Sequence, residues 1–103
     1  MNKKVIVTLR NGTMKVYFYS GKSNVSGGKI KLLREKAHLS QEQLAIKLEL
    51  SGIQFSQQSI SRIEQGQRFI TDYELMKLAE ILKVSVYYLL TGEEADPFSS
   101  PKR

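Results

Sequence analysis

The chain has 103 residues, of which 25% are charged and 41% hydrophobic, the make-up of one folded domain with a modest core. With no cysteine and a single histidine, His38, it has no means for disulfides or thiolate zinc sites, and neither a histidine metal cluster nor a Ser-His-Asp triad is expected. A net charge of +6 points instead to a polyanionic partner.

That charge is unevenly spread. Residues 1–25 hold Lys3, Lys4, Arg10, Lys15 and Lys22 and no acid, while residues 26–92 hold nine cations against seven acids, and residues 93–103 two against three. The N-terminal apolar run is only Val5-Ile6-Val7, too short for a signal peptide. No stretch approaches the roughly 20 apolar residues that span a bilayer. A cytoplasmic protein without membrane contact is expected.

Residues 4–19 read as a β-hairpin about Asn11-Gly12, the pair favoured in type I′ turns because both central residues take positive φ. Folding there puts Val5, Val7, Leu9, Met14, Val16 and Phe18 on one face, which needs cover from helices or from another chain. Residues 20–28, "SGKSNVSGG", read as a linker. The period then becomes helical. The first helix is expected over 28–37, burying Ile30, Leu33 and Leu32 on neighbouring strips. His38 falls where a turn is needed. Ser40 and Gln43 form a capping box opening the second helix, whose inner face is Leu44, Ala45 and Leu48.

Gly52 is the expected left-handed residue in the break that follows. Ser56 caps a third helix ending at Gly66, with Ile60 and Ile63 inward. Thr71 and Glu74 form a second box, leading to Leu75, Leu78, Ala79 and Leu82. Ser85 caps a last short helix, stopped by Gly92, with Tyr87 and Tyr88 as core or dimer contacts; a dimer surface is expected either at this helix, near Tyr87, Leu89 and Leu90, or at the hairpin. The expected organisation is a hairpin and linker over 1–25, a five-helix domain over 26–92 and a flexible tail over 93–103.

The runs "LSQEQLA", "SISRIEQG" and "LAEILKVSVYYLL" stand in this order between residues 39 and 90. Together they are similar to the helix-turn-helix domain of the phage Cro/repressor (XRE) family. The resemblance covers residues 29–92. It implies a mainly α, repressor-like domain in which helix two crosses a DNA backbone and helix three enters the major groove. It further implies a phosphate contact at Gln41, base reading by Gln57, Gln58, Ser59 and Arg62, and a phosphate-touching loop at Gln67 and Arg68. Arg34 and Glu64 match the family's internal ion pair. The chain departs from the pattern in one place: seven residues, "ELSGIQF", separate Leu48 from Ser56, where the family usually has about two. A longer turn packed by Ile53 and Phe55 is expected, and the hairpin lies outside the family pattern.

The residue types suit that task. Residues 57, 58, 61 and 62 project from one side of a helix while Ile60 and Ile63 occupy the other, so Ser61 joins the outward set. A glutamine amide matches the N7 acceptor and N6 donor of adenine, and arginine matches O6 and N7 of guanine. The expected function is sequence-specific binding of double-stranded DNA by a homodimer, on an operator-like, palindromic site, as a transcriptional regulator or repressor with no enzymatic activity, metal or cofactor. The alternative is a protein-interaction module, such as an antitoxin or adaptor, that uses the hairpin as its binding surface.

Overall fold

The computed structural model describes residues 21–94. They form five α-helices: α1 (Gly27–Lys36), α2 (Gln41–Leu50), α3 (Gln57–Glu64), α4 (Asp72–Leu82) and α5 (Val86–Thr91). The expected hairpin, and the tail beyond residue 94, lie outside the described residues.

Side chains set the helix starts. Ser40 Oγ accepts from Gln43 N while Gln43 Oε1 accepts from Ser40 N, and Thr71 and Glu74 repeat the exchange. Ser56 and Ser85 cap α3 and α5 more simply, by accepting from Ser59 N and Tyr88 N. Each such cap contributes about 1 kcal/mol. α1 starts differently. Ser26 makes no side-chain cap, and Asn24 Oδ1 accepts from Ser26 N (3.1 Å) and Gly27 N (2.7 Å) instead. The freed Ser26 hydroxyl is buried and donates to the Leu89 carbonyl of α5 at 2.7 Å.

The ends of the first four helices share one device. His38, Gly52, Gly66 and Lys83 take positive φ, and the next residue's N–H bonds back to the carbonyl five positions earlier: Leu39 to Arg34, Ile53 to Leu48, Gln67 to Arg62 and Val84 to Ala79. This closure satisfies carbonyls that a helix end leaves bare and turns the chain sharply. The turn role expected of His38 and the left-handed Gly52 are both present.

Ile30, Leu44, Leu48, Ile60, Ile63, Leu78 and Leu89 are fully buried, so every helix supplies at least one residue to a single core. Ile53 and Phe55 join them, so the lengthened turn between α2 and α3 is packed rather than loose. Two expectations change. Leu32 is 59% exposed, because the inward positions of α1 fall to Ile30 and Arg34, with Leu33 half-buried. Leu89 is wholly core, which leaves Leu90 as the exposed leucine of α5.

Candidate functional site

α3 has two sharply different sides. Ile60, Ile63 and Glu64 are buried, which fixes the helix against α1 and α2. On the other side Gln58, Arg62 and Gln65 follow one another at i, i+4 and i+7, all exposed, with exposed Gln57 and half-buried Ser61 along their edge. Gln58 and Arg62 make no side-chain hydrogen bond or ion pair among the described residues, so their donors and acceptors are available. Gln65 Nε2 donates to Ser61 Oγ at 3.3 Å. Ser59 lies on the flank, its hydroxyl accepting from Ser56 Oγ at 3.1 Å.

The start of α3 is held by a chain of polar contacts. Gln57 Nε2 donates to Gln41 Oε1 (2.6 Å), and Gln41 Nε2 donates to Glu64 Oε1 (2.9 Å). Glu64 takes two bonds from Arg34, Nε to Oε2 at 2.6 Å and Nη2 to Oε1 at 3.0 Å. Arg34 Nη1 then donates to the Leu39 carbonyl at the end of α1. The ion-paired side chains are only 10% and 2% exposed, and among the described residues no buried side-chain polar atom lacks a partner. The hydrogen bond to Glu64 raises the Arg34 pKa, outweighing burial, which lowers it. Gln41 therefore connects α2 to both ends of α3. The side-chain oxygen Oε1 of Gln57 makes no hydrogen bond among the described residues and remains open.

The other end of α3 is held by residues that composition marked as linker. Ser23 N donates to the Gly66 carbonyl (2.8 Å). Asn24 Nδ2 donates to the carbonyls of Ile63 (3.1 Å) and Arg68 (2.9 Å), while its Oδ1 caps α1. One amide thus joins the start of α1, the end of α3 and the loop beyond. Gly27 lies so near that a Cβ there would collide with the Ile63 carbonyl oxygen. The packed unit therefore begins upstream of Ser26.

In the loop after α3, Gln67 is exposed. Arg68 is engaged by the protein itself. Its Nη1 and Nη2 donate to Glu74 Oε1 (3.0 Å) and Oε2 (3.2 Å), and its guanidinium lies 4.9 Å from the Phe55 ring centroid. Burial pushes the Glu74 pKa up, but the hydrogen bonds from Arg68 and Thr71 and the Arg68 charge together outweigh it, and the net shift is downward.

The structure thus brings Gln41, Gln57, Gln58, Ser61 and Arg62 to one side of the domain and joins Arg34 to Glu64. It ties Ser59 to a cap and Arg68 to Glu74. Gln65 and Asn24 are additions. Gln65 could have been read from the i, i+4, i+7 spacing; Asn24 could not, because its partners are 39 and 44 residues away in sequence.

A helix-turn-helix family model matches residues 30–89, more than half of the chain. No curated protein matches it. Among solved structures, the chain resembles the crystal structure of the DNA-binding domain of BldD, at 26% identity and a TM-score of 0.57, over 71% of this chain and 99% of that one. The matched span takes in all of α2, α3 and α4 with the polar network between them, and the chain belongs to the helix-turn-helix family of the phage Cro/repressor (XRE) type.

Proposed function

We propose that the protein is a transcriptional regulator that binds double-stranded DNA sequence-specifically, with α3 in the major groove. The observation that carries this is the ridge Gln58–Arg62–Gln65, exposed and unused by the core, directly opposite two fully buried isoleucines. A major groove admits one α-helix, and side chains that read base edges must be free yet fixed in place. The resemblance to a domain described as DNA-binding supports the reading. Gln57, Gln58, Ser61 and Arg62 face the bases, with Gln65 beside them. Gln41 meets a phosphate at the edge while steering Gln57, and Gln67 meets another. Ser59 and Arg68 hold the cap and the loop.

One such helix reads few base pairs, so the protein acts as a homodimer on a palindromic operator with half-sites about 34–36 Å apart, as a repressor without catalytic activity. Selection of bound duplexes from random DNA tests this. The expected result is an enriched two-fold symmetric site, and Gln58→Ala or Arg62→Ala relaxes one base position each. Enrichment that is featureless, or unchanged in both variants, overturns it.

A further inference from the structure

Gln67 is exposed, and its side chain makes no hydrogen bond among the described residues. Its backbone is held on every side. Gln67 N donates to the Arg62 carbonyl at 2.8 Å. The carbonyls before and after it are both taken by the segment that precedes α1: Gly66 O by Ser23 N at 2.8 Å, and Arg68 O by Asn24 Nδ2 at 2.9 Å. The Arg68 side chain is tied in turn to Glu74. A free amide on a fixed backbone loses little freedom when it meets a ligand, and the smaller entropy loss appears as affinity.

Asn24 is the centre of this arrangement. An asparagine amide has two N–H donors and an oxygen that accepts twice, and Asn24 has a partner for each. Its nitrogen donates to the Ile63 and Arg68 carbonyls, and its oxygen accepts from Ser26 N and Gly27 N. The two accepted bonds start α1, a task that aspartate performs equally well. The two donated bonds need the nitrogen. Ser26 provides a contrast: its buried hydroxyl donates to the Leu89 carbonyl of α5, and it makes no hydrogen bond to α3 or the loop beyond.

We propose that Asn24 is a positioning residue for DNA binding: through the Ile63 and Arg68 carbonyls it sets the loop 66–68 so that Gln67 meets phosphate already in place. This rests on the DNA-binding reading above. It assigns part of the affinity to a residue upstream of the span, residues 30–89, that the helix-turn-helix family model matches. A phosphate contact carries no sequence information, so Asn24 governs how tightly a duplex is held while α3 governs which one.

The test is a double-mutant cycle, read by fluorescence anisotropy of the full chain on a duplex enriched from random DNA. The temperature is one at which melting curves show every variant folded. Asn24→Asp keeps the start of α1 and removes both donated bonds. Its added negative charge weakens binding by itself, so the readout is the coupling to Gln67. Gln67→Ala is expected to weaken binding about tenfold in the unaltered chain and in Ser26→Ala, but only about twofold in Asn24→Asp, because residues in one network are not additive. A loss in Asn24→Asp within about twofold of that in the unaltered chain overturns the inference. So does an equal reduction in Ser26→Ala, or a loss below about twofold in the unaltered chain. If Asn24→Asp does not fold, Asn24→Ser takes its place, with an acceptor but too short a reach for the two carbonyls. Failure of both to fold overturns the inference, because Asn24 then serves the fold as a whole. All these outcomes leave the α3 reading intact. If the unaltered protein enriches no duplex, the DNA-binding reading fails, and this inference with it.

Discussion

Two arginine–carboxylate pairs frame α3; each makes two hydrogen bonds, Arg34 through Nε and Nη2 and Arg68 through Nη1 and Nη2, for different ends. Arg34–Glu64 spans 30 residues, joins α1 to α3 and is nearly sealed from water, with side chains 10% and 2% exposed. Arg68–Glu74 spans six residues, joins a loop to the first turn of α4 and is wetter, at 28% and 14%. Glu64 is also the acceptor for Gln41, and through it positions Gln57, whereas Glu74 doubles as half of a capping box. A buried pair gives little net stability over an apolar substitute, yet losing one partner strands the other. A part-exposed pair is worth less and costs less to break. The first therefore fixes where α3 sits, and the second tidies the loop beyond it.

The largest expected effect tests the buried member. Glu64→Ala leaves Arg34 unpaired and should cost about 3–5 kcal/mol, read as a large drop in thermal midpoint. Replacing Arg34 and Glu64 together by leucine should cost less than that single change. A loss near that of an exposed pair, about 0–1 kcal/mol, would erase the contrast. Asn24→Ala comes next. It removes four hydrogen bonds around the ends of α1 and α3 and should cost about 2–3 kcal/mol in urea unfolding; a change of a few tenths would return residues 22–26 to the status of a tether.

Glu74→Gln should cost about 1 kcal/mol near neutral pH, and its pH dependence sharpens the comparison. Because the folded-state pKa of Glu74 is lowered, its contribution is complete above the ordinary glutamate value of about 4.3 and disappears as pH falls through the lowered value. The stability gap between wild type and Glu74→Gln should therefore close in acid, and a gap that widened there would reverse the assigned sign. The smallest effect on stability belongs to Gln58→Ala, within about 0.5 kcal/mol, while discrimination at one base should fall by about 1–3 kcal/mol. A destabilisation comparable to that of Asn24→Ala would mean that Gln58 is structural.

What was legible in the sequence was what is local. Ser40 with Gln43 and Thr71 with Glu74 are three apart, so the residues that make a cap are the residues that announce it. Ile60 and Ile63 were legible because burial follows helical spacing. Leu32 misled because adjacent strips of a helix look alike until a neighbour is placed, and here the neighbour of α1 is the carboxylate of Glu64, which draws in Arg34. The linker reading misled over residues 21–28 for a related reason. Serine, asparagine and glycine suit loose linkers, but the same small polar residues are what a close backbone approach requires. Arg68 was seen as a loop cation, and nothing local revealed that Phe55 and Glu74 would hold it.

Gly27 carries that last point further. With hydrogen in place of a side chain, the first turn of α1 rests directly on the Ile63 carbonyl near the end of α3, and no rotamer of residue 27 stands between them to cushion a shift. The tilt of α3 is accordingly inherited from α1. If α3 reads bases as proposed, new preferences arise most readily by exchanging its outward amides one at a time, since swivelling the helix would first require dismantling its mount.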